Sequence, residues 1–136
     1  MPLMTWNDKL SVGVRILDDD HKHLVDMVNK LFDGMRAGHA KAVLGPILDE
    51  LVEYTKVHFA HEEDFFAKTQ YPGASTHKAE HDKLTQQVHD IQARYKAGAL
   101  GILSLEVMEF LKTWLVNHIQ VEDKHYTHHL NTHGIH

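Results

Sequence analysis

The chain has 136 residues, of which 43% are hydrophobic, and its formal net charge is −5. This length fits one domain that buries a core of its own. The chain contains no cysteine, which excludes disulfides, thiolate metal sites and cysteine nucleophiles. It has no run of lysine and arginine, which argues against nucleic acid and anionic membranes as partners.

The first residues do not show a basic stretch followed by an apolar one, so we expect no signal peptide. No apolar run approaches the roughly 20 residues of a membrane span, and we expect a cytoplasmic protein without membrane insertion. Histidine is unusually frequent, with 14 copies. Because cysteine is absent, any metal would be bound by histidine nitrogen and carboxylate oxygen.

Helical periodicity and helix breakers divide the chain. Aspartates at 18–20 lie where a helix start favours negative charge, and apolar residues then recur at helical spacing as far as Gly38. Pro46 suits the start of a second helix, the stretch 71–73 ends it, and Gly98 ends a third. We therefore predict an N-terminal arm over 1–17 and helices over 18–37, 46–69, 75–97 and 104–129.

None of these segments shows the alternation of a strand, and the predicted loops are short. Four helices of similar length with short loops are typical of an up-down-up-down bundle. The predicted fold is an all-α four-helix bundle with an N-terminal arm, forming a single domain over 1–136.

Several polar residues lie on the apolar stripes of the predicted helices. A single buried histidine is more often hydrogen-bonded to a neighbour than bound to a metal. Donors that point inward from all four helices are different, since buried polar groups are costly unless paired or metal-bound and bundle cores can hold paired metals. These inward donors are His21 on the first helix, His58 and Glu62 on the second, His77 and His81 on the third, and His118 on the fourth.

The other histidines lie on predicted solvent faces, in loops or in the C-terminal tail. From His125 onward we expect a solvated, frayed end, with weak binding of a stray metal as the alternative.

Five segments carry a family resemblance. They read DDDHKHL at 18–24, HFAHEE at 58–63, YP at 71–72, HKAEH at 77–81 and WLVNHIQVED at 114–123. In this order they resemble the hemerythrins, and more narrowly the single-domain bacterial hemerythrins, whose pattern is H…HxxxE…HxxxH…HxxxxD. The resemblance extends from Trp6 to about Asp123.

Position by position, the resemblance implies two iron ions joined by carboxylates and an oxo or hydroxo group. One iron would be bound by His77, His81 and His118, and the other by His21 and His58. Glu62 and Asp123 would bridge both. Counting the donors of two six-coordinate irons leaves one position open, on the iron with two histidines, and dioxygen would bind there.

The last of these bridging residues has an unusual spacing. His118 and Asp123 are five residues apart, or about 140° apart around an ideal helix. Helix geometry alone therefore favours Glu122. The resemblance favours Asp123, which a local π-helical widening would bring to the cluster, and we select Asp123.

The resemblance implies that dioxygen is bound reversibly as a peroxo species, for storage, transport or delivery. An apolar wall at the open position would exclude water and anions. By the same resemblance this wall consists of Leu24, Phe59, Trp114, Leu115 and Ile119. None of these residues is an acid, a base or a nucleophile, which disfavours a hydrolase or an oxygenase.

Two alternatives remain open from the sequence. One is a diiron redox enzyme that reduces peroxide or nitric oxide, and the other is an oxygen or iron sensor that acts through a partner protein. A plain metal store, or a zinc site, ranks last. We expect an oxygen carrier rather than an enzyme, a monomer, and an oxygen-consuming protein as the recipient.

Overall fold

The computed structural model describes residues 4–98, 103–113, 118–120 and 123–136. In these parts of the chain the regular structure is entirely helical. The helices are α1 (Arg15–Arg36), α2 (Ala40–Thr69), α3 (Ala74–Lys96), α4 (Leu103–Thr113) and α5 (Thr127–Thr132), with 3₁₀ turns at Asp8–Leu10 and Asp123–Tyr126. Helices α1 to α4 form the predicted up-down-up-down four-helix bundle, preceded by an N-terminal arm.

One apolar core lies between the helices, because each helix repeats its apolar residues at helical spacing. Leu24, Val28 and Leu31 of α1 are fully buried and belong to the same cluster as Leu48 and Leu51 of α2. Helix α1 packs against α2 and α4, and α3 packs against α2 and α4. Among the helices that the structure describes, none is both long and apolar enough to cross a bilayer.

The second helix begins earlier than the sequence predicts. Helix α2 starts at Ala40 and contains Pro46 in its interior, although proline cannot donate a hydrogen bond to the preceding turn. Leu44 and Ile47, on either side of the proline, are 2% and 3% exposed. Burial of these side chains outweighs the one missing hydrogen bond, so the helix runs through the proline.

The first helix also begins earlier than predicted, at Arg15, so the aspartates at 18–20 do not mark its start. The carboxylate of Asp18 accepts hydrogen bonds from Ser11 Oγ at 2.6 Å and from the amide of Val12 at 2.8 Å. These bonds fold the arm back onto α1. Farther out, the side-chain amide of Asn29 bonds both the N–H and the C=O of Met4. The described part of the arm is therefore attached along α1.

The expectation of a solvated, frayed C-terminus is wrong. Tyr126 and Leu130 are fully buried, and Nε2 of His129 donates to the carbonyl of Thr69 at 2.9 Å. The predicted continuous helix over 104–129 is also wrong, since residues 118–120 are π-helical and a 3₁₀ turn precedes α5. This segment is held by contacts with distant parts of the chain, which local sequence patterns do not reveal.

Two of those contacts join the C-terminal segment to the arm. Thr127 Oγ1 donates to the carbonyl of Val12 at 2.6 Å, and Asn131 Nδ2 donates to the carbonyl of Gly13 at 3.0 Å. Gly13 has a φ of +73°, a left-handed conformation that glycine adopts without strain. The arm thus connects the start of α1 with α5.

Candidate metal centre

The seven donors that the sequence singles out meet in one buried cluster between the helices. Each of them is 6% exposed or less. His21 comes from α1, His58 and Glu62 from α2, His77 and His81 from α3, His118 from the π-helical residues and Asp123 from the following 3₁₀ turn. Residues far apart along the chain therefore bring nitrogen and oxygen donors to one place.

The donor atoms form two overlapping groups, and within each group all of them lie within 4.8 Å of one another. The two-histidine group consists of His21, His58, Glu62 and Asp123, and the three-histidine group consists of Glu62, His77, His81 and His118. Glu62 belongs to both groups. Each group could hold a metal ion, and the two groups share one carboxylate.

Regular helix geometry accounts for the donors of α2 and α3. Residues four apart lie on one face of a helix, and Nε2 of His58 is 3.3 Å from Oε1 of Glu62. The rings of His77 and His81 lie 4.5 Å apart, and Nε2 of His81 is 2.9 Å from the same Glu62 oxygen. The donors of α2 and α3 thus face each other, and Oε1 of Glu62 lies close to a histidine of each helix.

Asp123 reaches both groups with its two oxygens. Its Oδ1 lies 2.9 Å from Nε2 of His118 and 3.1 Å from Nε2 of His77, whereas its Oδ2 lies 3.1 Å from Nε2 of His21. Residues 118–120 are π-helical and Asp123 begins a 3₁₀ turn, so neither donor lies on a regular α-helix, for which the five-residue spacing would be unfavourable. Glu122, which ideal helix geometry favours, lies outside the described residues.

Several buried polar atoms of the cluster have no hydrogen-bond partner in the described part of the chain. They include both carboxylate oxygens of Asp123, Oε2 of Glu62, Nε2 of His77 and Nδ1 of His21. Buried polar atoms without a well-aligned hydrogen bond are costly even when they are in ion pairs, and a ligand at this place would compensate them. Imidazole nitrogens and carboxylate oxygens are donors that suit iron, and the residues present therefore fit a metal centre.

In the absence of a metal, ion pairs between histidines and carboxylates hold the cluster. Burial lowers the pKa of His58, but Glu62 and Asp20 reverse this effect and raise it to about 10. Burial likewise lowers the pKa of His77, and the carboxylates of Asp123 and Glu62 raise it to about 10. Both histidines are therefore protonated at neutral pH.

The two buried carboxylates respond in the opposite direction. Burial raises the pKa of Glu62, but the surrounding histidines, His58 foremost, hold this pKa well below its usual value. Burial and the nearby charge of Glu62 raise the pKa of Asp123, yet His118 and His21 outweigh both and lower it. The carboxylates therefore stay ionised, and neutralise the protonated histidines.

Sequence reasoning missed two carboxylates beside the cluster, which contact the Nδ1 atoms of His58 and His81. Nδ1 of His58 donates to Oδ2 of Asp20 at 2.9 Å, and Nδ1 of His81 donates to Oε2 of Glu63 at 2.9 Å. Burial raises the pKa of Asp20, but the bonds from His58 and His61 lower it below its usual value. The available signal was that Asp20 and Glu63 directly adjoin predicted donors.

Two buried tyrosines also lie beside the cluster and were missed. The ring of Tyr54 stacks on His58 at 5.3 Å, and the ring of Tyr126 lies 5.6 Å from that of His77. Burial, together with the charges of nearby carboxylates, raises the pKa of both hydroxyls well above the usual value. They stay neutral at any physiological pH.

Three of the five residues predicted to form the apolar wall lie in the described part of the chain. Leu24 and Ile119 are fully buried and Phe59 is 5% exposed. The ring of Phe59 is stacked on His81, with centroids 3.9 Å apart and planes 6° from parallel. Trp114 and Leu115, the other two predicted wall residues, lie outside the described part of the chain.

Known proteins are similar to this chain in sequence and in fold. Residues 12–130 match the family model of the hemerythrin HHE cation-binding domain. The bacteriohemerythrin of Methylococcus capsulatus is 40% identical to this chain, over 93% of this chain and 95% of its own length. The bacteriohemerythrin of Stenotrophomonas maltophilia is 32% identical, over 98% of this chain and 85% of its own length. A crystal structure of wild-type hemerythrin has a TM-score of 0.81 and 38% identity, covering 94% of this chain and 98% of that one.

Proposed function

This chain belongs to the hemerythrin family, and from that premise we propose that its buried cluster holds two iron ions and binds dioxygen reversibly. The main support is the pair of overlapping donor groups that share Glu62. Asp123 adds to this support, because its oxygens lie close to histidines of both groups. A single metal would need only one such group.

The proposed ligands divide unequally between the two irons. His77, His81 and His118 would hold one iron, and His21 and His58 the other. Glu62 and Asp123 would bridge them, together with an oxo or hydroxo group. The iron with two histidines then has one ligand fewer, and dioxygen would bind at its open coordination position.

The bound iron pair would supply the electrons for dioxygen binding, and the chain's own residues would limit any further oxidation. Five neutral imidazoles and two carboxylates donate less negative charge than the carboxylate-rich sites of oxidative diiron enzymes. Leu24, Phe59 and Ile119 are buried and apolar, so they would keep water and protons away from the bound gas. This environment favours release of unchanged dioxygen.

The same apolar residues support a carrier rather than an enzyme. Leu24, Phe59 and Ile119 offer no acid, base or nucleophile to a bound substrate, and general acid–base catalysis needs such a group within hydrogen-bond reach. We therefore propose storage, transport or delivery of oxygen, with an oxygen-consuming protein as the recipient.

The proposal is tested by reconstituting the protein anaerobically with ferrous iron and then exposing it to air. We expect two irons per chain and a coloured species that forms in air and bleaches under argon over repeated cycles. His58→Ala should abolish the colour, whereas His23→Ala should retain it, because His23 is exposed and pairs with Glu50 outside the cluster.

Two results would contradict the proposal. If the colour does not form, or forms and never bleaches, the protein is not a reversible carrier. Steady turnover of peroxide or nitric oxide well above that of free iron would instead favour a redox enzyme at the same site.

A further inference from the structure

Asp20 lies between a buried histidine of the cluster and a histidine at the surface. Its Oδ2 accepts hydrogen bonds from Nδ1 of His58 at 2.9 Å and from Nδ1 of His61 at 2.8 Å. The side chain of His58 is fully buried, that of Asp20 is 18% exposed and that of His61 is 41% exposed. The three side chains form a continuous line from the cluster to the solvent.

The hydrogen bond to Asp20 determines which nitrogen of His58 keeps its hydrogen when a metal displaces the other proton. An ionised carboxylate can only accept, so the hydrogen of His58 that faces Asp20 is on Nδ1. Nε2 is then directed at the two-histidine group, where it lies 3.3 Å from Oε1 of Glu62 and 3.1 Å from Nε2 of His21. A neutral imidazole held in this way presents its Nε2 lone pair to a metal.

We propose that Asp20 is a positioning residue of the two-histidine group, and that His61 holds Asp20 in place from the surface side. By orienting His58, Asp20 sets the affinity for metal on this side of the cluster and the lifetime of the oxygenated protein. The part that concerns oxygen rests on the proposed function above, whereas the part that concerns metal affinity can be measured without oxygen.

The two histidines of this group differ in how they are held. Nδ1 of His21 is buried and has no hydrogen-bond partner in the described part of the chain. His58 is thus the histidine of the pair whose ring is oriented by a carboxylate outside the group. Because this group has one histidine fewer than the other, we expect it to be more sensitive to the loss of a single well-oriented ligand.

The corresponding contact in the three-histidine group joins His81 to Glu63, and the charge of Glu63 is shared with other partners. Glu63, which accepts from His81, also lies 3.9 Å from Nζ of Lys78, and it is 35% exposed. Part of its charge is therefore compensated by a lysine and by solvent. Asp20 contacts two imidazoles, so we expect its effect on metal affinity to exceed that of Glu63.

The neighbouring aspartate provides a matched control. The side chain of Asp19 is 64% exposed and lies 3.9 Å from Nζ of Lys22, so Asp19→Asn changes the charge of the chain as Asp20→Asn does. The metal release rate is measured by loading each variant with zinc and adding an excess of chelator. We expect about tenfold or faster release of one of the two zinc ions from Asp20→Asn, and the wild-type rate from Asp19→Asn.

A second readout separates positioning from a general loss of structure. In the zinc-loaded wild type, the Nδ1 hydrogen of His58 should give a protected, slowly exchanging NMR signal. Asp19→Asn should keep this signal, whereas Asp20→Asn should lose it or exchange it faster. His61→Ala should accelerate zinc release less than Asp20→Asn does, and should add little in the Asp20→Asn background. The exposed His89 provides the control substitution for His61.

The inference is overturned if Asp20→Asn matches Asp19→Asn in both zinc release and the His58 signal. If Asp20→Asn does not fold, as judged by helical circular dichroism, His61→Ala and Asp20→Glu replace it, and wild-type behaviour of both overturns the inference. The proposed function has a separate outcome, because it fails only if the wild type itself does not oxygenate reversibly. When the wild type does oxygenate, we expect the oxygenated form of Asp20→Asn to decay severalfold faster than that of Asp19→Asn.

Discussion

The two sides of the cluster of donor residues are built by different means. On the helical side, which consists of the donors of α2 and α3, the donor residues recur every four residues, as on any regular helix face. On the C-terminal side, His118 and Asp123 are five residues apart and come from π-helical and 3₁₀ segments. Regular helices direct several donors at one point, whereas the irregular segment places a single carboxylate, Asp123, within reach of histidines of both donor groups.

The two sides also depend on different contacts. The helical side is held by packing between α2 and α3, where a Cβ on Gly45 would lie 2.5 Å from the hydroxyl of Tyr95. The C-terminal side is held by Thr127 and Asn131, whose side chains bond the arm more than a hundred residues away. The irregular side should therefore be the more easily perturbed, and four experiments test this difference.

The largest effect is expected at Asp123, the carboxylate of the C-terminal side. Asp123→Ala should abolish binding of two irons, because it removes a carboxylate that contacts histidines of both groups. Glu122→Ala should retain both irons, as judged by metal analysis and the optical spectrum. Loss of iron only in Glu122→Ala would show that regular helix spacing, rather than the π-helical turn, determines the ligand.

The pH dependence of stability tests the ion pairs around Glu62. The pKa values of His58 and His77 are about 10 in the folded protein against an ordinary 6.5. Their stabilisation is therefore complete below pH 6.5 and is lost as the pH rises toward 10. The free energy of unfolding of the metal-free protein should fall over this range, as measured by denaturant titration.

Two controls accompany that measurement. Zinc-loaded protein should lose the dependence at high pH, since its ligating histidines are already neutral. The lowered pKa of Glu62 acts in the opposite direction, because its stabilisation is present above its ordinary pKa of 4.5 and is lost as the pH falls. A flat profile between pH 7 and 10 in the metal-free protein would contradict the assigned ion pairs.

A moderate effect is expected where the C-terminal side meets the arm. Asn131→Ala removes hydrogen bonds to the carbonyls of Gly13 and Ile135, and should lower the free energy of unfolding by about 1–2 kcal/mol. It should also accelerate zinc release, because α5 adjoins the turn that carries Asp123. Gln86→Ala removes an exposed bond to Asp90 on α3 and should change stability by less than about 0.5 kcal/mol. Equal effects of the two variants would remove the distinction between the sides.

The smallest effect is expected at Tyr126. Its hydroxyl is buried close to Glu62 without a well-aligned hydrogen bond, while its ring packs 5.3 Å from that of Phe66. Tyr126→Phe keeps the ring and removes the hydroxyl, so stability should stay within about 1 kcal/mol of the wild type or rise. A larger loss, or a loss of bound iron, would show that the hydroxyl supports the C-terminal side.

The helical side was predictable from the sequence, and the C-terminal side was predictable only in part. Periodicity alone places His58, Glu62, His77 and His81 on inward stripes, because helix geometry is local. Asp123 required the family resemblance, since its position depends on a departure from the α-helix. The burial of α5 was missed because Thr69, Val12 and Gly13, which hold it, are far away in sequence.

The aspartates at 18–20 show a further limit of sequence patterns. As a group they suggest favourable charge at a helix start, but each has a different environment. Asp18 accepts bonds from the arm, Asp19 is exposed, and Asp20 lies between two histidines of α2. Which role each takes depends on where α2 and the arm lie against α1, and no property of the three adjacent residues specifies that.

The protonation of His58 and His77 makes metal uptake by this protein an ion exchange. With a pKa of about 10, each carries a proton at pH 7 that a metal at Nε2 must displace. The buried carboxylates thus keep a positively charged partner whether the site holds protons or metal. Because the metal displaces two protons, the apparent affinity rises about a hundredfold for each unit by which the pH increases, up to about pH 10. Acidification during loading, followed with a pH indicator in weak buffer, measures this exchange directly.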